Sequence, residues 1–247
     1  MYGLLAIILL VIGYFFGCFS TGYIVGKMNG HDIRTEGSGN IGTTNALRTM
    51  GAKGGALTFG GDLLKAFIPT LVVRFVMCPR MDMDLEYTYL FTLIVGLGVV
   101  IGHNFPFELH FKGGKGIAVS AAVIVASSAG TRLGWWMIAG GIVLFVAVVA
   151  LTRYVSLGSL MVIWYFPIYT VCRFIKSPVA VYMIIVSMLF VILAYIKSID
   201  TMIIYTATGL MIIVSMLFVI LAYIKHAGNI KRLLNGTERK FGEKKQG

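Results

Sequence analysis

Eight apolar blocks alternate with short polar intervals along the chain, near residues 3–26, 55–78, 87–102, 117–131, 134–151, 157–175, 179–197 and 201–224. A helix needs roughly 20 residues, within a range of about 17–25, to cross the hydrocarbon layer. Most of the blocks meet that length. Those at 87–102 and 117–131 are short, and both flank the loop 103–116. Transmembrane barrels alternate apolar and polar residues, and runs such as Ile142–Val149 show no alternation. The pattern predicts an all-α, polytopic membrane helical bundle.

The loops assign an orientation. The first block begins Met1-Tyr2 with no basic segment before it and is followed by Lys27, which predicts a retained anchor with its N-terminus outside. Loop 27–54 carries Lys27, Arg34, Arg48 and Lys53 and is expected inside. The interval 79–86, with Asp82, Asp84 and Glu86, is expected outside. Loop 103–116 returns inside with Lys112 and Lys115, as does Arg153. Irregular backbone between short helices is tolerated near a bilayer only where protein or a water-filled cavity surrounds it, so loop 103–116 suits an active site at a membrane surface.

Composition sharpens the class. Of 247 residues, 58% are hydrophobic and 13% charged, against roughly 45–50% and about 25% in soluble domains. That excludes a soluble two-domain enzyme, and the apolar content excludes a disordered chain. The net charge is +11, and residues 225–247 hold seven Lys/Arg against Glu238 and Glu243. This is a cytoplasmic positive-inside tail with affinity for anionic headgroups. No aromatic-interleaved basic groove points to nucleic acid. Cys18, Cys78 and Cys172 are far apart, and with four histidines in the chain no metal cluster is suggested.

One segment is repeated. Met183–Lys197 and Met211–Lys225 are the same fifteen residues at a period of 28. Two copies make no solenoid, but one extra crossing would reverse the side faced by the tail. The copy at 211–225 is expected to take the native seat, because the tail motif follows it, leaving 179–197 peripheral.

Four polar clusters stand out. Gly37-Ser38-Gly39-Asn40-Ile41-Gly42-Thr43-Thr44-Asn45 precedes Arg48. Glycines allow close approach to an anion, and arginine adds a bidentate phosphate donor, although the same glycines also serve as a helix-capping turn. Gly102-His103-Asn104-Phe105-Pro106 leads into Lys112-Gly113-Gly114-Lys115-Gly116, where backbone N–H groups and two ammoniums can wrap a phosphate. It lacks P-loop spacing. Arg153–Ser159 is a small-residue turn containing Ser156, Gly158 and Ser159. His226 and Asn229, three apart, start the tail. Asp62 and Lys65, at i and i+3 within a block, are expected to neutralise each other.

Together the patterns GSGNxGxTNxxR, GHxFPxxxxFKGGKG, RYxSxGS and HxxNIxRLxxGTExK, in this order, resemble the bacterial membrane-integral acyl-phosphate:glycerol-3-phosphate acyltransferases, the PlsY family. The resemblance implies one integral-membrane acyltransferase domain over 1–247, with seven core spans plus the duplicated segment and a basic tail at 226–247. It implies a multi-pass protein of the bacterial inner (plasma) membrane with cytoplasmic active-site loops. The implied activity is transfer of an acyl group from acyl phosphate to the 1-hydroxyl of glycerol 3-phosphate, with no cofactor and no metal. Membrane lipid is the implied environment, and the enzyme that makes acyl phosphate is a candidate partner.

Residue by residue, the resemblance places Ser38, Asn40, Thr44, Asn45 and Arg48 in one substrate loop. His103, Lys112, Gly113, Gly114, Lys115 and Gly116 fall in a phosphate loop, Ser156, Gly158 and Ser159 in a third, and His226 and Asn229 in the tail. Lys115, Arg48, Ser159, His226 and Asn229 are then expected to hold glycerol 3-phosphate. Ser38, His103 and the KGGKG backbone are expected to hold acyl phosphate, with Ser38 and His103 in the catalytic roles. The base is either His103 or a phosphate oxygen of the substrate. Thr43 and Ala66 stand where small Ala and Gly are usual, and His110 is unusual. Glu36 and Glu108, five residues after His31 and His103, match no family position. A small-anion transporter is the competing function, but its polar residues would sit on broken helices at mid-membrane. A membrane scaffold would leave four anion-suited loops unexplained.

Overall fold

The computed structural model describes residues 2–153 and 155–198, which belong to one compact unit, Met1–Asp200. The described residues are helical, with no strand among them: α1 (Tyr2–Cys18), α2 (Thr21–Met28), α3 (Thr43–Val72), α4 (Cys78–Arg80), α5 (Leu85–Asn104), α6 (Ile117–Ser128), α7 (Arg132–Thr152), α8 (Val155–Val162), α9 (Tyr165–Phe174) and α10 (Ala180–Ser198). A π-helical stretch, Val73–Met77, joins α3 to α4. Six segments are long and apolar enough to cross a membrane: Tyr2–Met28, Thr43–Arg80, Leu85–Leu109, Arg132–Thr152, Leu157–Phe174 and Ala180–Ser198. The apolar α6, with 12 residues, is shorter. The second copy of the repeat, the tail, His226 and Asn229 lie outside the described residues.

The centre of the unit is α5. Fourteen of its residues are buried, among them Phe91, Leu93, Val95, Val99 and Val100. Its apolar residues show no one-sided stripe because neighbours cover it all round. Its contact with α1 runs through glycine. Gly13 and Gly17 abut the carbonyls of Val95 and Val99, while Gly98 and Gly102 abut those of Leu10 and Tyr14. A side chain at any of the four would strike backbone, so small residues at i and i+4 let the two helices pack at backbone distance. This brings the end of α1 beside His103.

Two expectations change. Loop 27–54 is shorter than the polar pattern suggested, since α3 begins at Thr43. Thr44, Asn45 and Arg48 are therefore helical, and Gly51 (φ 69°) kinks α3 one turn further on. The copy at 183–197 is not peripheral either. α10 packs against α5 and α9 and buries Met183, Ser187, Phe190, Val191 and Ala194 along one face. Phe190 stacks on Phe166 with ring centroids 4.5 Å apart.

Candidate active site

The first glycine motif is held by one side chain. Asn45 is buried in the first turn of α3. Its amide donates to the carbonyls of Ile33 (3.1 Å) and Glu36 (3.0 Å), and its Oδ1 accepts from the Ser38 N–H (2.8 Å). Every strong hydrogen-bonding direction of that amide faces its own loop, so Asn45 shapes the site and is not free to bind substrate. Asn40 accepts from the Gly42 N–H (2.8 Å) and closes the turn into α3. Ser38, Thr44 and Arg48 remain at the surface of this turn.

Upstream, Asp32 bridges Arg34 (2.8 Å) and Lys27 (3.3 Å). The guanidinium, with the Lys27 ammonium, holds its carboxyl well below the usual carboxylate range. Arg34 also lies over the Tyr23 ring, 4.7 Å from its centroid. His31 pairs with Glu36 at 3.0 Å, an interaction that braces the loop. Glu108 accepts from Ser20 at 3.4 Å. Glu36 thus pairs with His31 within its own loop, whereas Glu108 meets Ser20.

The second motif folds back on the end of α5. Gly113 N–H donates to Asn104 O (3.1 Å) and Gly114 N–H to His103 O (3.0 Å). Gly114 lies against the His103 imidazole at Nε2, where a Cβ would collide. Gly116, at φ 74°, takes the left-handed conformation that favours glycine and opens α6. Asn104, next in sequence to His103, packs its Oδ1 against Gly116, and both of its side-chain polar atoms are buried without a hydrogen-bond partner. The two motifs share a small core: Leu109 of the second inserts among Ile33, Ile41 and Ala46 of the first.

Under this junction sits a buried polar group joining α3, α5 and the link between α1 and α2. The Lys65 ammonium reaches Asp62 Oδ1 (2.9 Å), His103 Nδ1 (2.8 Å) and Phe19 O (2.9 Å). An ammonium has three protons and meets three acceptors here. Asp62 and Lys65 do pair as expected, but the pair also anchors His103. Nδ1 also lies 3.6 Å from Asp62 Oδ1, and the opposite ring nitrogen, Nε2, faces Gly114.

Among the described residues, the side chains of Arg48, Lys112 and Lys115 enter no ion pair; the first two are exposed and the third half-buried. Ser159, on α8, is buried and donates to Val155 O (2.9 Å). Gly158, also buried on α8, packs against Phe145 and Val149 of α7. Ser156 lies on the same helix. The structure thus brings the first two motifs together and leaves the third within its own helix pair. Lys65 and Asn104 are the residues at the site that sequence reasoning passed over. The spacing of Asp62 and Lys65 was the only signal for the former.

Comparison with known proteins agrees with this geometry. The family model described as glycerol-3-phosphate acyltransferase matches residues 7–236. A glycerol-3-phosphate acyltransferase of Clostridioides difficile is 37% identical over 241 residues, covering 97% of each chain. One from Geobacter sulfurreducens is 33% identical, covering 95% of this chain and 97% of its own. The crystal structure of PlsY, an integral membrane glycerol 3-phosphate acyltransferase, in its glycerol 3-phosphate form superposes with TM-score 0.63, 26% identity and 96% of both chains covered. Its lysophosphatidic acid form gives 0.61 and 28%. With its helical bundle, its paired glycine loops and these relatives along nearly its whole length, this chain belongs to the glycerol-3-phosphate acyltransferase family, as an integral membrane protein of the PlsY type.

Proposed function

We propose that this protein transfers a fatty acyl group from acyl phosphate to the 1-hydroxyl of glycerol 3-phosphate, at the cytoplasmic face of a bacterial plasma membrane. The observation that carries the reading is the packing of two glycine loops around Leu109 with Arg48, Lys112 and Lys115 unpaired beside them. Two phosphate dianions repel, and three uncommitted cations together with the N-terminus of α6 offset that repulsion. The PlsY structures in glycerol 3-phosphate and lysophosphatidic acid forms support the acceptor and the product.

In the proposed step the substrate hydroxyl oxygen attacks the acyl carbonyl carbon. The C–O bond to phosphate then breaks, and the hydroxyl proton leaves on the released phosphate. Acyl phosphate is already activated, so no covalent enzyme intermediate is needed. Orientation of well-aligned reactants supplies up to about 7–11 kcal/mol. Ser38 and the N–H groups of Lys115 and Gly116 serve the developing oxyanion, those of Gly113 and Gly114 being engaged by Asn104 and His103. His103 Nδ1 lies against the Lys65 ammonium and its ring packs on Gly114, a positioning role that leaves a substrate phosphate oxygen as the base. Arg48 and Lys115 hold glycerol 3-phosphate together with Ser159.

The test is a donor comparison with purified protein and labelled glycerol 3-phosphate. Acyl phosphate is expected to yield lysophosphatidate and phosphate one for one, while acyl-CoA and acyl carrier protein yield none. No lysophosphatidate from any donor rejects the enzyme reading. Turnover with acyl-CoA rejects the donor assignment alone.

The repeat offers a second test. Removing one 28-residue period joins Lys197 directly to His226 and keeps Met183, Ser187, Phe190, Val191 and Ala194 of the buried face of α10, with His226 in the place of Ser198. The shortened protein is expected to match or exceed the full chain in acyl transfer. In it, His226→Ala should raise KM for glycerol 3-phosphate by about tenfold, the loss of one charge-assisted contact. An inactive shortened protein would show that both copies are needed.

A further inference from the structure

The helix that begins at the phosphate loop, α6, has 12 residues and is about 18 Å long, against about 30 Å of hydrocarbon. Its far end turns within four residues into α7, and its last carbonyls have no partner inside the helix. Local groups serve some of them. Ser127 and Ser128 donate to Ile124 O, Ala129 N–H to Val125 O, and Thr131 to Ser128 O. Two more, Ala126 O and Ala129 O, are taken by the two Nη groups of Arg74, at 2.5 and 2.6 Å. Arg74 comes from a different helix, on the π-helical stretch that ends α3. Such π-turns are rare and concentrate at functional positions. A guanidinium also complements the negative end of the α6 dipole.

From this we infer that Arg74 is a positioning residue for acyl transfer: it ties the far end of α6 to α3 and so sets the depth at which the Gly113–Gly116 loop meets acyl phosphate. The inference rests on the reading that this loop binds the donor. α6 is a short rod whose inner face, with Val119, Ala122, Val123 and Ala126, is buried. A slide along its axis is transmitted undiminished to Gly116 at the other end. A displacement of about 1 Å at reacting groups is enough to cost about 100-fold. The serines cap α6 from within, whereas Arg74 anchors it to the helix that carries Arg48, Asp62 and Lys65.

Two readouts in the full-length protein separate positioning from stability. Spin labels at exposed positions on α3 and α6, Leu57→Cys and Ala121→Cys in a Cys172→Ser background, report helix position without reference to activity. Arg74→Gln is expected to shift or broaden that distance distribution and to raise KM for acyl phosphate by about tenfold. Arg74→Lys, which keeps the charge and loses the fork, should fall between Arg74→Gln and the wild type and serves if the glutamine variant does not fold. Ser128→Ala removes a local cap only and should leave both readouts at wild type. An unchanged distance in a folded Arg74 variant overturns the proposal, as does a Ser128→Ala protein that matches Arg74→Gln. If the unsubstituted protein makes no lysophosphatidate, the acyltransfer reading fails while the label distance still judges the tether.

Discussion

Lys115→Ala is expected to lower kcat/KM for both acyl phosphate and glycerol 3-phosphate by roughly 100- to 1,000-fold, the range for removing one donor aimed at charge that develops in a transition state. Lys115 is the last side chain before Gly116 turns the chain into α6. Its ammonium therefore stands beside the N-terminal amides of that helix, between the phosphate it is proposed to hold and the one proposed for the loop. It is half-buried, so its attraction is screened less than that of exposed Lys112. Lys112→Ala should accordingly cost less than Lys115→Ala in the same assay. Lys115→Arg should recover part of the loss, since it restores charge but not the compact geometry. Kinetics with each substrate varied in turn check this. Equal activities for Lys115→Ala and the unsubstituted protein would remove Lys115 from the site.

Lys65→Met is expected to be the most destabilising single change described here. It removes two hydrogen bonds and an ion pair and leaves Asp62 buried without its partner, a loss of about 3–5 kcal/mol when one member of a buried pair is deleted. In a chain of this size that corresponds to a fall in unfolding temperature on the order of 10 °C. The same change frees His103 Nδ1 and releases the ring that Gly114 rests on, so activity should fall even at temperatures where the variant stays folded. Pairing it with Asp62→Asn removes the stranded charge and should return much of the stability, because a neutral pair avoids the desolvation cost. Activity should not return with it, since nothing then orients His103. Thermal unfolding in detergent and acyl transfer, measured on both variants, separate the two effects. Full activity in the folded double variant would show that His103 needs no anchor.

How much of the site was legible depended on range. Arg48, Lys112, Lys115 and the glycines announce an anion site because neighbours in sequence are neighbours in space. The fold class followed from the apolar blocks for the same reason. Asn45 belonged to the same legible motif, but its role did not. Whether an amide faces a ligand or its own loop is decided by where Ile33 and Glu36 are placed. The helical start of α3 was hidden because Thr43–Gly55 is polar and glycine-rich, and such a pattern reads as loop until packing on α2 supports it.

By itself the sequence determined that this is a helical membrane protein with basic, glycine-rich loops between its apolar segments, since burial in lipid acts on residue type and short spacing. Tertiary structure alone decided what joins across the bundle. Lys65 meets His103 across 38 residues, and Arg74 meets Ala126 across 52. Only it, too, seated the first of two identical segments against α5. Residue type along one segment does not say which helices it meets; the contact of α10 with α5 and α9, with Met183, Ser187 and Phe190 buried, comes from packing between stretches distant in the chain.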